Sequence, residues 1–531
     1  MVLLKNAYHR RDTANTATIS TGAGNDTVKV GAQSNITGLD SVAGGDGTDT
    51  LIITDATVGP TTKTTLALGV SGFEILGVDN SGAIDIDFNA LSTYDTVKLV
   101  TDTSLSAGGG ATHASTATDG LDAITIKMEN TDTLLIAADI IAAAGAATSA
   151  KAGGIGGDAL TFTNKLDNGA NVINLTLYGD ADIVGGAGGN GTGAGSVGGV
   201  SGAAVDAVTT EIFNIKLQGT QSTNDADNVR FAAGSPGLES TNGTASASAD
   251  TITLNSNATI NVTDELVGTG TKYNNLDLGT VAGSNVTVNA STFHGTLKVA
   301  VKATGAGNVA LTGGSAADTL TGATGQDVIS GGAGADSITG GAGADVLSGG
   351  AGRDAFTIGT DGHSGASTYD TISDFEKVTV AASAAQVAAM SSAANFQATA
   401  TAVGGDNADL LDFASTVTLA SAATSSDLNS SASISGGSGT VITTLTAKGI
   451  ITISGTNTAN VDTLTEWVAL ANATATTTGN VAAFEFNGNT YVFHQGSSTD
   501  DVVELTGVTG VTGIVVTGSS VAAAAGDIFV F

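Results

Sequence analysis

The chain has 531 residues, enough for roughly three or four domains. Its 50 acidic residues outnumber 17 basic ones, and the net charge of −33 excludes a nucleic-acid-binding surface and, unless a multivalent cation bridges the two, an anionic membrane. There is no cysteine, so no disulfide supports the fold, and 41% apolar but only 4% aromatic residues favour thin, repetitive layers over one large aromatic core.

The first eleven residues, MVLLKNAYHRR, lack the apolar core of roughly 7–15 residues that a signal peptide needs. No run of about 18 apolar residues marks a transmembrane helix. The basic start (Lys5, Arg10, Arg11) could touch a lipopolysaccharide phosphate or remain a free arm. Two short motifs follow, GAGNDTV at 22–28 and GGDGTDTL at 44–51. They offer a small calcium site with Asp26, Asp46 and Asp49 as its carboxylates, or simply two tight turns between strands.

From 51 to 311 the pattern is strand after strand. Ile84, Ile86 and Phe88 alternate with Asp85 and Asp87, and similar alternation runs through 124–128 and 173–177. Further strands are expected at 73–78, 96–100, 212–217, 252–254, 260–262, 286–288 and 297–301. Many short strands suggest a solenoid or sandwich modules, and a right-handed parallel β-helix suits a chain that continues into a second solenoid. Residues 106–119 and 185–205 read as exposed Gly/Ala/Ser loops, and Ala-rich 137–150 reads as a short helix. Asp and Gly rise again at 179–189, out of phase with any repeat.

The most informative stretch is 313–357: GGSAADTLT, GATGQDVIS, GGAGADSIT, GGAGADVLS, GGAGRDAFT. Each nine-residue unit has Asp at its sixth place (Asp318, Asp327, Asp336, Asp345, Asp354) and an apolar residue at its eighth. A fixed short period is a solenoid signature. The glycines permit tight turns that aim carbonyls and a carboxylate inward, an all-oxygen setting for Ca2+ with its about 6–8 irregular ligands. The following three residues form a strand. Two units make one coil, so Asp318, Asp336 and Asp354 line one edge and Asp327 and Asp345 the other. Carboxylates stacked this closely repel unless a cation lies between them, so the coil is expected to fold only with calcium.

Beyond it, 381–394 and 462–473 read as helices, the second carrying the single Trp467. Strands are expected at 417–419, 441–445, 450–453, 483–486 and 490–493, the last two joined by an Asn487-Gly488 hairpin turn.

The nonapeptide run resembles the RTX (repeats-in-toxin) family, whose consensus is GGxGxDxUx with U apolar. The match is strict in the units starting at Gly331, Gly340 and Gly349 and looser in the first two. The resemblance implies calcium ligation by the repeat aspartates together with Gly331, Gly332, Gly334, Gly340, Gly341, Gly343, Gly349 and Gly352. The segment YDTISDF at 369–375 is similar to the family's closing DxIxDF, which adds Asp370 and Asp374. The hairpin FEFNGNTYVF and DDVVELTGV after it resemble the C-terminal module of RTX-type surface-layer proteins of Gram-negative bacteria, and the final GDIFVF resembles a type I secretion terminus. The implied fold is all-β: a parallel β-solenoid (56–305), after a segment with RTX-like turns (1–55), leads into a calcium-binding β-roll (306–376) and a β-rich C-terminal module with a secretion signal (377–531).

No HExxH, GxSxG, Walker lysine or Rossmann fingerprint occurs, and His363 in GHSG reads as a turn residue. The expected function is therefore structural rather than enzymatic: a calcium-dependent, self-assembling surface-layer subunit, outside the cell, with itself and the type I export machinery as partners. The alternatives are a secreted adhesin or matrix protein, and an RTX-tailed polysaccharide-cleaving enzyme.

Overall fold

The computed structural model describes residues 18–32, 41–55, 69–79, 159–162, 171–178, 203–219, 228–233, 251–266, 275–302, 307–359, 368–378, 408–413, 417–425, 439–497, 499–517 and 527–531, with short pieces elsewhere, mainly between 84 and 141. Residues 1–6, 9–11, 188–202, 363 and 381–394 lie outside them, and with them the basic arm, most of the expected 185–205 loop, the histidine turn and the first C-terminal helix. The chain forms two compact units, Met1–Val299 and Ala300–Phe531.

In the first unit one strand per coil stacks in parallel. Thr27–Gly31, Thr50–Ile53, Ile75–Val78, Thr96–Leu99, Thr133–Ile136, Val172–Tyr178, Ile212–Gly219 and Thr259–Leu266 pair in that order. A second column runs from Ile84–Asp87 through Ile124–Lys127, Leu160–Phe162 and Val205–Ala207 to Ile252–Leu254. Alternate residues face inward: Ile173, Leu175 and Leu177 stack on Phe213, Ile215 and Leu217, all buried. Apolar period-two strands joined by irregular crossovers give the solenoid expected of the sequence. On the outer face Asn174, Asn214 and Asn261 join amide to amide at 2.9 and 2.8 Å, satisfying side chains that the strand leaves half-buried.

Two local expectations change here. Within the Ala-rich stretch, Ile140–Ile141 is a strand, paired with Leu105–Ser106 and Asp182–Val184. Two β-branched residues that complete a column outweigh the helix propensity of the alanines around them. Within 106–119, the strands Gly109–Thr112 and Thr118–Gly120 form an antiparallel hairpin where a plain loop was expected.

The second unit begins with the roll. Ala310–Thr312, Val328–Ala333 and Val346–Ala351 form one face, and Thr319–Thr321, Ser337–Thr339 and Ala355–Ile358 the other. Partners are 18 residues apart, Leu311 on Ile329 on Leu347 and Leu320 on Ile338 on Phe356, so two nonapeptides make one coil. Asp370–Ile372 and Leu410–Phe413 continue the two faces in parallel. Asp501–Leu505 then joins the first, and the antiparallel strand Asp527–Val530 joins the second.

The hairpin Asn480–Phe486/Asn489–His494 turns on Asn487 and Gly488, both at positive φ (50° and 83°), the turn that matches the twist of the strands. The helix Leu464–Thr474 starts on a capping box, Thr463 and Glu466 each accepting the other's backbone N–H. Its Trp467 stacks on Phe484 at 5.3 Å, and Phe484 on Tyr491 at 5.4 Å.

Leu347 is fully buried in the roll and Val328 is 55% exposed on it. In calcium-loaded, dilute protein, Leu347→Ala is expected to cost about 2–5 kcal/mol in urea unfolding, through lost burial and the cavity left behind. Val328→Ala should stay within about 0.5 kcal/mol of the parent.

Candidate metal centre

Each repeat aspartate lies at the end of a turn and the start of a strand, and its backbone points along the stack. The N–H of Asp318 donates to Asp336 Oδ1 at 2.7 Å, that of Asp327 to Asp345 Oδ1 at 2.8 Å, and that of Asp336 to Asp354 Oδ1 at 2.9 Å. The five carboxylates are 1–2% exposed. They separate into the two edges expected from the repeat phase, Asp318, Asp336 and Asp354 on one and Asp327 and Asp345 on the other.

Both edges run past the repeats. Asp345 N–H donates to Asp370 Oδ1 at 3.0 Å, and Asp354 N–H to Asp409 Oδ1 at 2.8 Å. Asp409 was missed by the sequence reading because 54 positions separate it from Asp354; the available signal was GGDNADLLD at 404–412, which has glycine at the first and second places of the nonapeptide, Asn407 at the fourth, Asp409 at the sixth and Leu411 at the eighth. Asp374 plays a different part. Its carboxylate accepts the N–H of Gly349 and of Gly350 and the hydroxyl of Ser348, at 3.0, 2.9 and 2.6 Å, and so closes the last turn.

The second carboxylate oxygens decide what the site can hold. In the looser first units Oδ2 is satisfied: Gly314 N–H donates to Asp318 at 2.6 Å and Ala323 N–H to Asp327 at 2.7 Å. Asp336 Oδ2 and Asp354 Oδ2 are buried without a hydrogen-bond partner. Each points back at the first glycine of its own unit, Gly331 and Gly349, where a side-chain carbon would fill the space that the oxygen uses. Gly340 stands in the same relation to Asp345. At the fourth place Gly343 has φ +142° and lies so near the Gly325 carbonyl one coil earlier that no side chain fits; Gly334 and Gly352 occupy the equivalent places, and Gly332 and Gly341 the second place, also at positive φ.

Such oxygens are costly to bury as anions. Burial, with the negative charge of Asp318 and Asp354 beside it, raises the Asp336 carboxyl to about 7. Burial raises Asp409 to about 8, and it pushes Asp327 and Asp354 up as well. Among the described residues no three carboxylates or imidazoles converge in one cluster. The oxygens available are instead mixed: beside Gly331 both the Asp336 Oδ2 and the Gly349 carbonyl lie close, and beside Gly322 the Asp327 Oδ2 and the Gly340 carbonyl. That set of hard oxygens with uncompensated charge fits Ca2+.

A second set of the same kind occupies the first unit. Asp26 N–H donates to Asp49 Oδ1 at 2.8 Å, and Asp49 N–H to Glu74 Oε2 at 2.8 Å. Asp49 is fully buried, and Asp26 Oδ2 and Asp49 Oδ2 have no hydrogen-bond partner. Asp46 sits on the exposed turn, its backbone paired with Gly22 and Gly24 across the coils rather than in the aspartate row. Glu74 is the third member of the row, legible in GVSGFEILG at 69–77, where glycines hold the first and fourth places of the nonapeptide and a glutamate replaces the aspartate.

The family model for the RTX calcium-binding nonapeptide repeat (four copies) matches residues 16–36, 303–329 and 321–356. The chain carries RTX repeats. These repeats bind calcium, and proteins that carry them are typically exported. The matched segments hold Asp26 and the whole Asp318–Asp354 series and leave Asp370, Asp409 and Glu74 to the geometry. No curated protein matches the chain. Among the described residues no helix is long and apolar enough to cross a membrane.

The raised carboxyls set a pH dependence for the metal-free RTX roll. A group whose folded pKa lies above its unfolded value stabilises most when protonated in both states, and that stability is lost as pH rises through the folded pKa. With Asp336 at about 7 against an unfolded value of 3.8, the roll in EGTA should gain stability as pH falls from 8 to 5. Thermal melts by circular dichroism at the two pH values check this, and saturating calcium should remove most of the difference.

Proposed function

We propose that this protein is an exported structural subunit that calcium folds outside the cell and that calcium then lets assemble into a surface layer. The observation that carries the reading is the aspartate row in which Asp336 and Asp354 Oδ2 are buried without a partner, in a chain of net charge −33. The repeat aspartates, with Asp370 and the glycine turns from Gly331 to Gly352, would hold the ions; Asp26 and Asp49 would do so in the first unit. A bound ion supplies positive charge between stacked carboxylates and oxygen coordination for the turn carbonyls. The chain supplies the geometry, because the N–H-to-Oδ1 hydrogen bonds fix the row one coil apart.

The wider role rests on three supports. From 18 to 413 the described chain is mostly repetitive parallel β-structure, and antiparallel strands follow it. The acidic surface keeps copies apart until a divalent ion screens or bridges them. The C-terminal hairpin and the strand after it resemble those of RTX surface-layer proteins. The reading assigns no catalytic role: of the two His–Asp pairs described, both at 2.9 Å, His494 with Asp501 is buried beside the Phe413 ring and His294 with Asp264 lies on the surface. Type I export and cell-surface placement belong to the same proposal, and lipopolysaccharide is its suggested anchor.

Electron microscopy of purified protein tests it. Ordered two-dimensional arrays are expected in millimolar calcium and dispersed particles in EGTA. Arrays indifferent to chelation, or particles that remain single at every calcium concentration, would refute the assembly step.

A further inference from the structure

The outer face of the roll carries an apolar column that the chain treats in two ways. Ala310, Val328, Val346 and Thr371 stand in register on successive strands. The same column continues onto Glu504, Tyr491 and Phe484. At that end it is covered: Tyr491 and Phe484 are buried in a cluster with Val468 and Ala471 of the helix Leu464–Thr474. Over the roll the described residues leave it open, with Val328 at 55% and Val346 at 46% exposure, two of the three large apolar side chains exposed among them. The neighbouring outward column is Thr312, Ser330 and Ser348. None of these seven side chains is charged.

We propose that this face of the roll is where one copy of the protein meets a second copy. The argument is electrostatic. With 50 acidic and 17 basic residues, most pairs of surfaces on two copies repel and can meet only through bridging cations. The centre of the face is valine, alanine, serine and threonine, and its charges, Glu504 beyond Thr371 and Asp374 on Ser348, lie at one end, so two such faces can pack about Val328 with little repulsion or charge desolvation. Its strands have one fixed spacing, so the ridges of one copy fit the grooves of another in the manner of paired sheets. The face also exists only when the roll is wound, and this makes the contact calcium-dependent without a calcium ion in it. The patch is small, and a single contact is weak; many in a lattice add up. The inference rests on the surface-layer reading and names its contact.

The seventh place of the nonapeptide accepts other residues, since Thr319, Ser337 and Ala355 occupy it in alternate units. Val328→Lys/Val346→Lys should therefore wind normally, with the calcium-dependent circular dichroism and melting transition of the parent. Sedimentation and light scattering in calcium should show association lost, or shifted at least tenfold in protein concentration. Val328→Ser/Val346→Ser should give a smaller shift in the same direction, which covers the case in which the lysine pair fails to fold. Thr319→Lys/Ser337→Lys, on the opposite face, should associate like the parent. The chain has no cysteine, so Val328→Cys gives a clean probe. It should react with a maleimide in dilute calcium-loaded monomer and, with an added disulfide oxidant such as oxidised glutathione, form interchain disulfides in the assembled state. Unchanged association of both double variants at Val328 and Val346 overturns the contact and leaves the surface-layer reading standing. A parent protein that never associates overturns both. A cysteine already blocked in the monomer overturns the contact, because the chain's own residues then cover the face.

Discussion

One hydrogen bond, repeated, organises the roll: the N–H of one aspartate on the Oδ1 of the aspartate one coil further on. It gives each row a fixed rise and ties backbone to side chain, so the carboxylates cannot turn away from one another without breaking the coil. The cost is electrostatic. Oδ1 is satisfied by an N–H, but at Asp336 and Asp354 the other oxygen is buried with nothing to accept from. A hydrogen bond that holds the row together and a charge that drives it apart are two consequences of the same side chain. The ion resolves that conflict, which is why an asparagine could keep the ladder but not the calcium dependence.

The ladder also explains how a strict repeat ends. Solenoid coils need a template on each side. Here the last repeat coil is followed by Asp370 on one edge and Asp409 on the other, and both take the N–H that a sixth or seventh repeat would have taken. Asp409 carries a second load, accepting Glu376 N–H at 2.8 Å through its other oxygen, so both of its oxygens are held by backbone N–H groups, as those of Asp327 are. On this edge the row thus passes from Asp336 and Asp354, each with one oxygen that no protein group satisfies, to Asp409, whose two oxygens both accept backbone N–H groups. Asp374, saturated by the Gly349–Gly350 turn, closes the same end.

How much of this the residues disclosed depends on the range of the interaction. The nine-residue phase, the two-unit coil, the division of aspartates between edges and the Asn487-Gly488 hairpin are all local consequences of glycine, aspartate and alternation, and they stand in the structure as the sequence implies. What was hidden is what distance creates. Asp409 and Glu74 each close an imperfect nonapeptide, GGDNADLLD at 404–412 and GVSGFEILG at 69–77, but each stands outside a continuous run, and no local pattern says which carboxylate's N–H it takes. Ile140 and Ile141 become a strand only because Leu105–Ser106 and Asp182–Val184 offer edges on both sides. Propensity for the alanines around them is a weak prior beside two sets of ladder hydrogen bonds.

The two units apply one device at different strengths. In the second unit the row spans five repeats with their glycines in phase, and every carboxylate in it is nearly inaccessible. In the first unit the row is Asp26, Asp49 and Glu74, with coil lengths that differ and a glutamate whose longer arm reaches the same N–H. A longer, more flexible side chain loses more entropy when fixed and places its charge less narrowly. It also tolerates a coil that is not a nonapeptide pair. The first unit therefore combines a short calcium-type row with a solenoid held mainly by stacked leucine, isoleucine, valine and phenylalanine, whereas the roll has one inward apolar residue per repeat strand against one buried carboxylate. The ratio of buried charge to buried hydrocarbon is thus higher in the roll, and a bound calcium ion has most charge to offset there.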